Sequence, residues 1–167
     1  IEKGREALSE KKEFLAELTR KYGIPGHYLL AFWGLETNFG NYKGKMSTLD
    51  SLATLACDPR RSGYFTGELM LALKLMDRES LNKEQMIGSW AGAMGHTQFM
   101  PTAYMKYALD GDGDGKADLW NSEKDALESA ANFLNKLGWK PGLRWGREVV
   151  LPSDFDYAGV SNEKKPI

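Results

Sequence analysis

The stretch HYLLAFWGLETNFG, residues 27–40, decides how this chain is read. Pro25 suits the first turn of a helix, where its missing N–H would be unpaired anyway, and the residues after it are apolar on nearly every side. Such a helix is buried, and this one is expected to run on to about Gly40. At 3.6 residues per turn Leu29, Phe32, Trp33 and Glu36 share a stripe. Glu36 is therefore expected to emerge among large apolar side chains, in a last turn whose unpaired carbonyls already carry partial negative charge. Poor hydration and the helix dipole both disfavour the carboxylate and raise its pKa, which equips Glu36 to hold and donate a proton near neutral pH. Spacing alone also admits, and by itself favours, a glutamate at the rim of the core bonded to backbone groups.

The rest of the chain bounds what such an acid can serve. With 167 residues, 42% of them hydrophobic and 27% charged, it can bury one core, and a single domain over 1–167 is expected. A net charge of -1 with scattered Lys and Arg excludes a nucleic-acid binder's footprint. Cys57 is the only cysteine, so no intrachain disulfide forms. No apolar run approaches the roughly 20 residues of a membrane span, and the chain starts without a signal-peptide pattern. A monomer is expected.

Periodicity predicts a surface helix over 5–22 with Leu8, Leu15, Leu18 and Tyr22 on one stripe, stopped by Gly23. Ser47 with Asp50 opens a helix over 48–57 that ends before Pro59. Another fits about 67–80, with Leu69, Leu73 and Met76 on one face. Asn82 with Gln85 resembles a further capping box. Pro101 can begin a short helix to about Leu109, and Ser122 with Asp125 opens one to Leu137, stopped by Gly138. After Trp139 only REVVLP leans toward β structure, and the end, SNEKKPI, closes without a structural signal, as if more followed. The expected fold is mainly α with little β structure.

Two loops stand out. GSWAGAMGHTQFMP, 88–101, is rich in Gly and Ala, which allows close backbone approach to a ligand or, as readily, tight packing between helices. DGDGDGKADLWN, 110–121, sets Asp110, Asp112 and Asp114 at alternate positions with Gly115 sixth, as an EF-hand calcium loop begins. Lys116 would add its carbonyl at position seven and Asp118 a water-mediated contact at nine. Asn121, however, stands where the standard loop has a bidentate Glu, and a solvated glycine-rich turn is the alternative.

Taken in order, GIPGHYLLAFWGLETNFG, TLDSLATLACDPRRSGYF, GSWAGAMGHTQFMPTAY and DGDGDGKADLWNS, spanning about residues 22–140, resemble the membrane-bound lytic transglycosylase B family, whose members cleave bacterial peptidoglycan on a lysozyme-like core. The resemblance implies that Glu36, in the E-T-x-x-G motif, is the sole catalytic acid. It implies that Ser89 and Gln98 line the sugar groove with Phe99 and Met100 as apolar wall, and that Arg60, Arg61 and Tyr64 belong to that groove, although each arginine alone would pass for a solvated surface charge. It also implies a lengthened EF-hand-like loop holding a structural Ca2+ through Asp110, Asp112, Asp114 and Lys116, with Asp125 as last ligand, and no organic cofactor.

The implied partner is the peptidoglycan glycan strand and the implied location the periplasm or cell envelope. The implied reaction breaks the bond between N-acetylmuramic acid and N-acetylglucosamine without water, closing a 1,6-anhydro ring. A hydrolytic muramidase and a non-catalytic, calcium-dependent wall-binding module are the alternatives. Two departures are visible: Phe133 stands where the family commonly places a Tyr near the acid, and further groove residues, a Tyr-Asn pair among them, are expected beyond residue 167.

Overall fold

The computed structural model describes residues 1–143, 146 and 148–159. Its helices are α1 (Glu2–Glu10), α2 (Lys12–Tyr22), α3 (Gly26–Thr37), α4 (Thr48–Cys57), α5 (Ser62–Glu79), α6 (Pro101–Tyr107) and α7 (Glu123–Lys136), with a 3-10 turn at Tyr157–Gly159. Two short strands, β1 (Met46–Ser47) and β2 (Ile87–Gly88), pair antiparallel, Met46 opposite Gly88.

Helix α7 organises the interior. Asp125 through Ala131 are all buried, so this helix touches protein on every side over two turns. Leu127, Ala130 and Ala131 meet Leu15, Leu18, Leu29, Leu30 and Trp33 in one apolar cluster. Ala126 joins a second, built on Leu52, Phe65, Leu75, Met86, Met94 and Phe99. Phe32 packs against both clusters, which seats α3 where they meet. Each fully buried leucine here contributes about 1.5–3 kcal/mol of transfer free energy.

Cap chemistry fixes several boundaries as expected. The Ser47 hydroxyl accepts from the Asp50 N–H at 3.2 Å and the Ser122 hydroxyl from the Asp125 N–H at 3.2 Å, starting α4 and α7.

Four expectations are corrected. The helix over 5–22 is two helices broken at Lys11, because α1 turns to lie on α3: Ala7 is buried where Leu8 was expected to be, and the Lys11 ammonium pairs with Glu123 and lies 5.6 Å from the Trp33 ring centre. Helix α5 starts at Ser62 rather than about 67, because Phe65, Glu68, Ala72 and Leu75 form the buried face and Leu73 points out. Asn82 and Gln85 do exchange their two capping bonds, at 2.8 and 2.9 Å, but around a turn, since Ile87–Gly88 are taken by β2. The described residues of REVVLP, 148–152, form no strand, and Arg147 and SNEKKPI lie outside the described residues.

Candidate active site

Glu36 stands in the last turn of α3. The helix ends at Thr37 because Asn38, Phe39 and Gly40 take left-handed conformations in succession, with φ of 50°, 58° and 77°. Phe39 then folds back beneath the helix, its ring edge-on to Trp33 with centres 5.6 Å apart. Glu36 is exposed rather than sealed in a dry pocket, because the stripe that begins at the buried Leu29 and Trp33 leaves the core in this final turn. Its carboxyl is nonetheless desolvated enough to raise its pKa above the ordinary glutamate value, and burial is the sole cause. Among the described residues it takes part in no hydrogen bond or ion pair.

The glycine-rich loop folds onto itself and then onto this helix end. The Ser89 N–H donates to the Ala93 carbonyl at 2.8 Å, and Met94 and Phe99 exchange backbone bonds at 2.9 and 3.1 Å. At Gly88 a Cβ would sit 2.1 Å from the Ala93 carbonyl oxygen, so this glycine serves close packing inside the protein. The Ser89 hydroxyl accepts from the N–H groups of Ala91 and Ala93 at 3.3 and 3.1 Å, and its own proton has no acceptor among the described residues, so it can donate to a ligand. The Gln98 amide nitrogen donates to the carbonyls of Lys43 and Gly95 at 3.3 and 3.0 Å. Both its protons are engaged, so Gln98 can offer a ligand only its oxygen, as an acceptor.

Three bonds bring the two segments together. The Thr37 hydroxyl, adjacent to Glu36, donates to the His96 carbonyl at 3.0 Å, the Trp33 indole donates to the His96 ring at 2.9 Å, and Gln98 reaches Lys43 beyond the helix end. Phe99, expected as groove wall, is 3% exposed: its ring lies 5.2 Å from Phe133 in the core, and only the half-buried Met100 can face a groove. Phe133 meets Phe32, one turn before Glu36, with ring centres 6.4 Å apart, so it supports the acid's helix through packing.

At the α4–α5 junction the two arginines differ. Arg60 is clamped by Asp58, two residues away, and holds that carboxyl down to about 2. Arg61 lies over the rings of Tyr64 and Phe65 at 4.5 and 5.3 Å. Both arginines, Phe65, Leu55 and Asp58 line a pocket of about 230 Å³ that Trp90, from the glycine-rich loop, completes. Thr37, Trp90 and His96 were not in the expected set. Two left a signal: a large aromatic ring within a run of Gly, Ser and Ala, and one of only two histidines in the chain.

In the acidic loop, carboxylate oxygens of Asp110, Asp112 and Asp125 lie within 4.8 Å of one another. Asp125, 1% exposed, accepts from the N–H groups of Gly111, Asp112 and Asp118, and desolvation raises its pKa. Three hard oxygen donors at this spacing, one buried and converging from α7, fit a calcium ion. Asp114 stands outside the trio and accepts from the Lys116 N–H at 2.9 Å. Asp118 caps Trp120 and Asn121 instead of reaching the cluster, because it opens the turn that leads into α7.

The family model described as the transglycosylase SLT domain matches residues 1–167. The membrane-bound lytic murein transglycosylase B of Escherichia coli K12 is 38% identical over 161 residues, which cover 93% of this chain and 44% of that protein. SltB3 from Pseudomonas aeruginosa, solved with NAG-NAM-pentapeptide, superposes with a TM-score of 0.87 at 44% identity over 94% of this chain and 42% of its own. The E. coli lytic transglycosylase Slt35, solved with calcium, gives 0.80 at 39% identity over 84% of this chain and 45% of its own. The chain thus spans less than half the length of these relatives, and within that span its mainly helical fold is the lysozyme-like one they share. On the match over its whole length, the chain belongs to the transglycosylase SLT domain family.

Proposed function

We propose that this domain is a lytic transglycosylase that cleaves the β-1,4 bond between N-acetylmuramic acid and N-acetylglucosamine in peptidoglycan. The observation that supports it most directly is Glu36, a carboxyl at an open helix end that is unpaired among the described residues and has its pKa raised by desolvation. The buried acids are otherwise engaged: Glu68 by Thr102, Glu128 by Tyr22 and Lys21, Asp125 by the acidic loop. One acid suffices when no water has to be activated.

Protonated Glu36 gives its proton to the glycosidic oxygen as the bond from that oxygen to C1 breaks, and the N-acetylglucosamine leaves as an alcohol. The muramoyl acetamido oxygen stabilises C1 in the interval. The Glu36 carboxylate then takes the proton of the C6 hydroxyl while that oxygen attacks C1, closing the 1,6-anhydro ring and restoring the acid. The tethered hydroxyl acts at high effective concentration, which lets it outrun water. Ser89 donates and Gln98 accepts toward substrate polar groups, with Met100, Tyr64, Arg60 and Arg61 along the groove.

Asp110, Asp112 and Asp125 would hold a calcium ion that neutralises their charges and ties the acidic loop to α7. The ion's contribution is structural. A periplasmic or envelope location follows from such a substrate, and among the described residues no helix is long and apolar enough to cross a membrane.

Digestion of purified sacculi by wild type and Glu36→Gln, with mass spectrometry of the soluble products, tests this. Anhydromuramoyl ends from wild type and none from the variant are expected. Reducing ends would mark a muramidase, and saccharide binding without turnover in both proteins a binding module.

A further inference from the structure

The last turn of α3 is fastened to the glycine-rich loop through a residue that the proposed chemistry does not use. Trp33 donates its indole N–H to Nδ1 of His96 at 2.9 Å, and Thr37 donates its hydroxyl to the His96 carbonyl at 3.0 Å. That same hydroxyl accepts from the Gly40 N–H at 3.0 Å. Gly40 closes the third side: its φ is 77°, and a Cβ there would lie 2.2 Å from Cε1 of the imidazole. Residues 33–40 therefore wrap around a ring that is 5% exposed, and Glu36 falls between the two points of attachment.

The proton on this ring can be placed from its neighbours. An indole N–H only donates, so Nδ1 must present its lone pair, and a neutral imidazole then carries its proton on Nε2. The Lys43 ammonium, 3.4 Å from Nε2, faces a donor and spends its own bond on the Trp120 carbonyl at 2.7 Å. The charged groups facing the ring are Lys43 from the segment after α3 and Lys11 from the α1–α2 junction, opposed by Glu123 on α7 and Asp118 on the acidic loop. Burial first, then Lys43, lowers the pKa of His96 to about 4. Protonation would turn Nδ1 into a donor and break the bond from Trp33.

We propose that His96 is a positioning residue for Glu36: its neutral imidazole, clamped by Trp33 and Gly40, holds the last turn of α3 so that the Glu36 carboxyl faces the groove. This rests on Glu36 being the acid of the reaction. Glu36 then governs the alkaline limb of the pH profile, since it must be protonated, and His96 the acid limb, since it must not be.

The test compares His96→Leu, His96→Asn, Trp33→Phe and Glu36→Gln on sacculi, with kcat, KM and pH profile measured. The Asn amide oxygen can take the place of Nδ1 as acceptor for Trp33 and does not titrate. A displacement of about 1 Å costs on the order of 100-fold in rate, so His96→Leu and Trp33→Phe are each expected to lose roughly 10- to 100-fold in kcat with KM within about twofold. His96→Asn should recover most of that loss and extend activity further into acid than wild type. Should His96→Leu not fold, Trp33→Phe and His96→Asn still decide. Wild-type kcat in Trp33→Phe, or an unmoved acid limb in His96→Asn, overturns the inference. An active Glu36→Gln, or no anhydro product from wild type, overturns the underlying assignment of the acid instead.

Discussion

Glu68 on α5 grips Thr102 at the start of α6 twice: Oε2 accepts the backbone N–H at 2.9 Å and Oε1 the hydroxyl at 2.7 Å. The carboxylate is 3% exposed and serves as the N-terminal cap that α6 lacks in its own N-cap residue, Met100. A buried acid beside a basic, aromatic pocket would otherwise be the natural candidate for a second catalytic carboxylate.

Glu68→Ala should therefore destabilise the fold and spare the chemistry. Losing charge-assisted bonds to two part-buried donors costs about 2–3 kcal/mol, which lowers Tm by about 4–12 °C in a chain of this size. Glu68→Gln keeps one acceptor and should lose less. Thermal unfolding and the rate per folded molecule check this together. A folded Glu68→Gln without turnover would bring a second carboxylate into the mechanism and exclude the single-acid scheme.

Glu36→Gln should do the reverse. Loss of a general acid costs about 10²- to 10⁴-fold in rate, while Tm at neutral pH should hold or rise. A carboxyl whose pKa is raised on folding contributes stability below its unfolded value and loses it as pH climbs through the folded one. The amide removes that penalty, so the variant should gain on wild type at pH 7 and match it in acid. Wild-type activity should likewise fall on the alkaline side as the raised pKa is passed. Unfolding curves at several pH values with a pH–rate profile measure both; a variant less stable than wild type at pH 7 contradicts the assignment.

What was legible in the sequence had local causes. Ser47 and Ser122 accept from the N–H three residues ahead, so the starts of α4 and α7 could be placed to the residue, while α7 ends at Lys136, one residue short of the expected Leu137. Glu36 was placed by helical period alone, and its place in the final turn is the one the structure shows, although period says nothing about how open that turn is. Asn82 and Gln85 made their bonds without a helix, because pairing of Ile87 with Ser47 lay 40 residues away in the chain. Phe99 was misplaced for a related reason: an irregular loop has no period from which to read an inward side, and contact with Phe133 on α7 decides it. The contact of His96 with Trp33 spans 63 residues and was likewise out of reach.

Calcium should stabilise the fold through Asp110, Asp112 and Asp125. A ligand at about 100 times its Kd adds about 2.7 kcal/mol, or about 5–11 °C in Tm. Asp125→Ala should abolish the calcium-dependent increment and also lower the calcium-free Tm, because the N–H groups of Gly111, Asp112 and Asp118 lose their acceptor. Asp110→Ala, at an exposed position, should remove most of the increment with a smaller change in the calcium-free value. Unfolding in calcium and in chelator measures the difference. An identical Tm in both, for wild type, would remove the ion from the picture.

Trp90 should matter for binding and hardly for stability. It is 68% exposed, so replacing it removes little buried area from the folded state. Yet it completes the pocket of Arg60, Arg61 and Phe65, and its neighbour Ser89 keeps a hydroxyl proton to donate. An indole face in that setting can cover the apolar face of a pyranose ring, excluding water from both. Losing such a contact costs about 1–2 kcal/mol, on the order of tenfold in affinity. Trp90→Ala should therefore raise KM for glycan strands about tenfold at nearly constant kcat, because the contact is made equally before and during bond breaking. Trp90→Phe should recover part of the loss, and Tm should move by less than about 2 °C in either variant. Steady-state kinetics on soluble glycan chains with parallel unfolding curves separate the possibilities: a fall in kcat at constant KM would place Trp90 in the reacting geometry, and no kinetic change would take this pocket out of the groove.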